Sequence, residues 1–355
     1  MRKVIVAACL VLPAGVASAQ TLEPDFHQLF RDSQLALQRM SEPQGPALGN
    51  EAPQLPLPDD LTLRMSQTGA NAVNILNSDR DLGSVTQLFD GQQGIENSID
   101  AHRSGTFGPI SISQSGSNYA NMMQGNTISM ADQLMSETST QQVWNSIWAG
   151  GSIDVIAQIG VNVANIAMAE YAIGTAEQTI EEGAIQRVDN FIAFDADTVV
   201  SGTINQSGVN IGNVLIADRI DTVTRTFSGE QIVDNTVVLH GSSVPPIEQS
   251  GGNIANMVVA NNIGTIRQLS VGAQRVINTV IGPDGRPLSH GNISQSDYNY
   301  QGASNVVNMM VLRAQQSGNS SSPQPVLVDQ QADFPQTGQG VSGQSQTGNV
   351  TVINR

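Results

Sequence analysis

The sequence predicts an all-β chain: a parallel β-solenoid of about ten to twelve rungs, preceded by a short helix and a Pro-rich linker. Two repeating patterns and one compositional bias predict it. A segment of the form Q-x-G-x-N-x-small-N returns at intervals of 43 to 52 residues, and a second, Q-x-[IV]-x-N-x-[IV], falls between its copies. Amides also displace charge: 34 Gln and 28 Asn stand against 15 Lys or Arg and 31 Asp or Glu. Charged side chains make up 13% of the chain, where ordinary globular domains carry about 25%.

The elements follow in order. Residues 1–19 have the form of a secretory signal peptide: basic Arg2 and Lys3, an apolar run from Val4 to Val16, and small residues at Ala17, Ser18 and Ala19, with cleavage expected before Gln20. The single cysteine, Cys9, lies inside that leader, too close to its start for a lipoprotein box. The exported chain is therefore expected to be free of disulfides and, lacking a run of about 18 apolar residues, not to span a membrane by a helix. Residues 20–41 predict one short amphipathic helix, with Phe26, Leu29, Phe30, Leu37 and Met40 near helical spacing and Pro43 ending the pattern. Residues 42–60 carry Pro43, Pro46, Pro53, Pro56 and Pro58 and read as an extended linker. The repeats occupy 61–313, a Ser/Gln/Pro-rich linker 314–345, and a terminal rung-like segment 346–355, in which Gln346, Gly348 and Asn349 read as the opening of a seventh copy.

The first pattern places Gln67, Gln114, Gln158, Gln206, Gln249 and Gln301 in equivalent positions, followed four residues later by Asn71, Asn118, Asn162, Asn210, Asn253 and Asn305. Between them, Gly69, Gly116, Gly160, Gly208 and Gly251 read as turn glycines, where a positive φ is cheapest. In the second pattern Asn97, Asn145, Asn190, Asn235 and Asn278 alternate with aliphatic residues at period two, which puts amides and aliphatics on the same strand face. Each half-unit of about 23 residues has room for a strand, a turn and a returning strand, hence the expected rung number.

A buried amide is costly unless its donors and acceptors are all met. In a stack of strands about 4.8 Å apart, each carboxamide donates to one neighbour and accepts from the other, provided the same residue type recurs in every layer. Repetition is then a chemical requirement. The competing reading, a surface turn in a soluble repeat protein, does not explain why the amides keep phase with Met65, Ile112, Ile156, Ile204 and Ile247, two residues before each glutamine. After the expected turn the strand is apolar on both sides, as at Ile211, Leu215, Ile254 and Val258. That face is expected to be covered, by the chain itself or by a partner.

These residues resemble the curlin repeat of curli-type functional amyloid subunits, whose consensus also spaces Gln, Gly and N-x-A, as in Asn118-Tyr119-Ala120, Asn162-Val163-Ala164 and Asn253-Ile254-Ala255. A diverged relative such as a holdfast-anchor surface protein fits the pattern. The resemblance implies secretion through an outer-membrane pore, location at the bacterial cell surface or in an extracellular fibre, and partners that are further copies of the chain or other curlin-like subunits. The expected function is then an exported structural protein forming or anchoring an adhesive, amyloid-like fibre. A monomeric solenoid adhesin that binds surface polysaccharide is the alternative.

Other chemistries lack their residues. The net charge of −16 becomes −18, with no lysine at all, once Arg2 and Lys3 leave with the leader, so nucleic acid is not an expected partner. His27, His102, His240 and His290 occupy unrelated phases, and neither a metal site nor a catalytic group is expected, nor any cofactor. A β-helical polysaccharide-degrading enzyme would need clustered carboxylates beside Arg or Lys on neighbouring rungs, so no enzyme activity is expected. Trp144 and Trp148 share a strand face. Packing against a neighbouring rung is the preferred reading for them, and a carbohydrate-stacking pair is the other.

Overall fold

The computed structural model describes residues 63–101, 109–241, 245–286, 299–313, 327–332 and 344–354. The expected leader at 1–19, helix at 20–41 and linker at 42–60 lie outside them. The described chain is all-β with parallel sheets, compatible with a β-solenoid. Its first unit contributes β1 (Leu63–Asn77), β2 (Leu82–Phe89) and β3 (Gln92–Ala101), and its second β4 (Ile110–Met135) and β5 (Thr140–Ala149). The third holds β6 (Ser152–Val163), β7 (Ile166–Ile180), β8 (Ile185–Phe194) and the two-residue β9 (Val199–Val200). The fourth and fifth hold β10 (Ile204–Phe227) with β11 (Glu230–Val238), and β12 (Ile247–Ser270) with β13 (Ala273–Ile281). β14 (Asn299–Arg313), β15 (Leu327–Ala332) and β16 (Gln344–Asn354) follow.

The strands form two parallel sheets, one of eleven strands carrying the Q-x-G-x-N segments and one of five, β3-β5-β8-β11-β13, carrying the second pattern. Register repeats once per unit. Gln67 pairs with Gln114, Gln114 with Gln158, Gln158 with Gln206, Gln206 with Gln249 and Gln249 with Gln301. The two half-units therefore face each other in separate sheets instead of stacking. A layer is one whole unit, so the expected ten to twelve rungs are too many. Among the described residues, five units contribute strands to both sheets, and β14, β15 and β16 extend the larger sheet alone. The sequence suggested the higher number because both half-units share the Gln and Asn phase. Their partners differ, because the strand after the Asn bend lengthens each layer.

The glycines correct a second expectation. Gly69, Gly116, Gly160, Gly208 and Gly251 are not turns: each lies within a strand, and the positive-φ glycines among the described residues are Gly91, Gly151, Gly183 and Gly285. The chain bends instead at the second asparagine of the motif, where Asn74, Asn121 and Asn165 take φ of 54°, 47° and 42°. Asparagine tolerates this left-handed region better than other side-chain-bearing residues. One such residue flips the strand's phase, which is why both flanking faces read as apolar. On the outer side of the bend Val163 and Ile166 join one buried cluster, while Ala167 faces another. Ile211, Leu215, Ile254 and Val258 are 4, 0, 8 and 0% exposed, so the chain itself covers that face.

The motif glycines serve close approach. A Cβ built on Gly69 would lie 2.6 Å from Ile95, and at the other four it would strike Val143, Val188, Val233 or Val276, one buried column of the opposite sheet. Sheets ordinarily pack about 10 Å apart. A glycine facing a valine lets them come closer, so the amides on either side reach the opposite backbone. Gly160→Ala is expected to destabilise the chain by about 1–3 kcal/mol in denaturant unfolding, because the fully buried Val188 has nowhere to go. Gly94, around which an added Cβ meets nothing within 4 Å, provides the control: Gly94→Ala should be neutral or gain up to about 1 kcal/mol.

The terminal segments differ from their expected roles. Within the linker expected at 314–345, β15 pairs with Thr265–Ser270 of β12, bringing Gln330 opposite Gln268. β16 pairs with β14 so that Gln346 meets Asn305 and Asn349 meets Asn308; Gln346 thus does not continue the glutamine line. The three-residue spacing of Gln346 and Asn349 matches that of Asn305 and Asn308, and this register also sets Val350 and Val352 opposite Met309 and Val311.

Candidate assembly interface

Buried amides connect the units along the stack. Nε2 of Gln114, Gln158, Gln206 and Gln249 each donates to Oε1 of the glutamine one unit earlier, at 3.0, 2.9, 2.9 and 2.8 Å. Nδ2 of Asn71, Asn118, Asn162 and Asn210 each donates to Oδ1 of the asparagine one unit later, at 3.0, 2.9, 2.9 and 2.9 Å. In the smaller sheet Asn97, Asn145, Asn190 and Asn235 pass a 2.8 Å bond forward to Asn145, Asn190, Asn235 and Asn278. Gln141, Gln186, Gln231 and Gln274 donate back to Gln93, Gln141, Gln186 and Gln231. Of the residues singled out in the sequence, Gln301 and Asn305 are placed by register alone, opposite Gln249 and Asn253.

The same nitrogens fasten the two sheets together. Gln114 donates to the carbonyl of Ser146 and Asn118 to that of Gln142, both on β5 of the same unit. Asn145 of β5 donates to Ile159 on β6 of the next unit, and Gln141 to Val163. The sheets are thus staggered, and the bonds climb from one unit to the next. Because each nitrogen must meet a backbone carbonyl, the orientation of every carboxamide is determined by the network. Asparagine columns consequently run forward and glutamine columns backward, so their dipoles oppose one another.

Two further columns were not singled out in the sequence. The second asparagines of the motif, Asn74, Asn121, Asn165, Asn213 and Asn256, donate forward, each to the next, ending at Asn308. They belong to the recognised motif, and the share of the first three in bending the chain concealed a second function. The other column is Gln87, Gln133 and Gln178, with Gln133 donating to Gln87 and Gln178 to Gln133. Its signal was a glutamine 19 or 20 residues after the first, flanked at two residues by Val85 and Phe89, Ala131 and Met135, or Ala176 and Ile180. Arg225 holds the next place, opposite Gln178 on one side and Gln268 on the other. It is 1% exposed; Nη1 donates to the carbonyl of Asn213, whereas Nε, Nη2 and the facing Oε1 of Gln178 have no partner. Burial lowers the pKa of this guanidinium well below its ordinary value.

Comparison of the chain with protein-family models, curated proteins and solved structures returns no match. The chemistry of the ends must be read from the chain itself. Among the described residues, β1, β2 and β3 each pair on one edge only, with β4, β4 and β5. Among the described residues, no donor reaches Oδ1 of Asn71, Asn74 or Asn97, while Nε2 of Gln67 donates only to the carbonyl of Ser98. Column polarity makes this first face offer amide oxygens on its asparagine lines and an N–H group on each of Gln67 and Gln93, whereas both N–H groups of Gln87 are donated to the carbonyls of Asn74 and Met122. Among the described residues, no group of three or more His, Cys, Asp or Glu is placed to hold a metal, and no helix is long and apolar enough to cross a membrane.

Proposed function

We propose that this chain is an exported structural protein of the bacterial cell surface, a β-solenoid that forms or anchors an extracellular adhesive, amyloid-like fibre. The observation that carries the reading is the first face: three strand edges that no described strand covers, with amide columns that stop mid-pattern. Strand edges of this kind template the addition of another chain, and proteins that stay monomeric blunt them with Lys, Pro or covering segments. β1–β3 contain no Lys and no Pro. The partners on this reading are further copies of the chain or other curlin-like subunits, after passage through an outer-membrane pore.

Incubating the purified chain without residues 1–19 and following thioflavin fluorescence with electron microscopy tests the reading. Fibres with a cross-β spacing of about 4.8 Å are the expected result. A species that stays monomeric at high concentration for days, and does not elongate added fibre seeds, would overturn it. Deleting residues 344–355 gives a second prediction. β1–β13 have their own sheet partners, so far-UV circular dichroism should change little, while fibre growth should slow several-fold because β16 is the outermost strand on β14. Unchanged growth in that truncation removes β16 from the mechanism and leaves the stack intact.

A further inference from the structure

The outward face of the smaller sheet carries a feature that the repeat does not require. Register aligns Trp144 with Glu96, Asp189, Asp234 and Ile277, and Trp148 with Asp100, Ala193, Val238 and Ile281. Phe191 stands where the other units have Ser98, Ser146, Thr236 and Thr279. No other unit needs an aromatic ring at these positions to fold, yet both tryptophans of the chain lie here and each is 47% exposed. Packing against a neighbouring unit accounts for only part of this. Trp148 leans on Phe191 of the next unit, ring centroids 5.5 Å apart and tilted by 52°, but both indoles keep about half their surface in water.

The rings and their neighbours line a groove of about 500 Å³. Trp148 lies four positions after Trp144 on one strand face, about 13 Å at 3.3 Å per residue. Beside them stand planar polar groups. Nε of Arg187 donates to both oxygens of Asp189, at 2.9 and 2.7 Å, and the Thr236 hydroxyl donates to Asp234 at 2.9 Å. Arg187 is thereby neutralised by Asp189, which leaves Asp234 as the net charge of the groove.

The composition discriminates among occupants. Nucleobases also stack on indoles, but their phosphates would meet Asp234 and a chain of net charge −16. A second copy laid face to face would oppose like columns of carboxylates. An apolar peptide or lipid would strip water from Asp189 and Asp234 without supplying hydrogen bonds. A pyranose ring presents a C–H face for the indoles and equatorial hydroxyls that donate to carboxylates and accept from Arg187 or Gln142. We propose that this groove is a glycan-binding site for neutral oligosaccharide chains, with Trp144 and Trp148 as stacking platforms and Asp189 and Asp234 as hydroxyl acceptors. The site lies on a side face and not on the stack ends, so the inference holds whether or not the chain polymerises.

Because the groove contains the only two tryptophans, intrinsic fluorescence of the full chain reports on it directly. Titration with cellohexaose and chitohexaose should give a saturable change in tryptophan emission with at least one of them, and hexagalacturonate should bind at least about tenfold more weakly. Calorimetry with Trp144→Ala and with Trp148→Ala should show about a tenfold or greater loss of affinity, with far-UV circular dichroism unchanged. Asp234→Asn should narrow the gap between neutral and anionic hexamers. No response to either neutral hexamer, equal binding by both alanine variants, or tighter binding of the anionic hexamer would each overturn the proposal. So would a dimer, in sedimentation without sugar, that Trp148→Ala abolishes, since the rings would then serve lateral self-association.

Discussion

Asn162→Leu is expected to cost about 3–6 kcal/mol and to loosen the middle of the stack. Asn162 is fully buried; it accepts from Asn118 and donates to Asn210 and to the carbonyl of Arg187, all at 2.9 Å. Leucine leaves Oδ1 of Asn210 without a donor, removes the cross-sheet donor to that carbonyl and removes the acceptor of Asn118. Each buried orphan costs about 1–3 kcal/mol. Stacked units interact mainly with their neighbours, so the loss should be local. Amide hydrogen exchange should accelerate in β4, β6, β8 and β10 before it does in β13. Asn71→Leu supplies the internal comparison, because Asn71 sits half-buried at the end of the same column with one amide neighbour, and should cost less than half as much. Equal costs at the two positions would mean that column continuity contributes nothing to stability.

Arg225→Gln should act in the opposite direction, raising stability by about 2–4 kcal/mol. The guanidinium is buried with two nitrogens unpartnered, directly opposite a glutamine oxygen that also lacks a donor. A glutamine there can donate to Oε1 of Gln178 as Gln178 does to Gln133, continuing the column while removing an uncompensated buried charge. The gain should appear as a higher denaturant midpoint and slower amide exchange in β7, β10 and β12. An unchanged or lower midpoint would show that Arg225 meets its charge in a way the neighbouring residues do not reveal. Arg225→Met, which removes the charge but leaves Oε1 of Gln178 unmet, should gain less than Arg225→Gln and so separates desolvation from column repair.

How far each feature could be read from the chain depends on how local its cause is. The all-β class, the parallel stacking and the equivalence of Gln67, Gln114, Gln158, Gln206 and Gln249 were legible in the sequence, because an amide column works only if the same residue type returns in every layer. The repeat is the interaction written out along the chain. The column through Gln87, Gln133 and Gln178 was legible in principle but was masked by Arg225, which breaks its pattern midway.

Other features were decided by the fold alone. Gly116 or Gly208 read equally well as a turn or as a point of close approach, since glycine suits both; only the valine across the core distinguishes them, and Val143 and Val233 are 27 and 25 residues away in the chain. The size of a layer was hidden because two half-units of like pattern can stack on each other or face each other, and the choice rests on whether Gln67 finds Gln93 or Gln114 as its neighbour. Exposure of Trp144 and Trp148 was likewise undecided, because period two assigns both rings to one face without saying which face meets water. The sequence by itself determined which residues are equivalent, since equivalence is carried by repetition along the chain; the tertiary structure decided which equivalents touch, since contact depends on how far the chain travels before it returns.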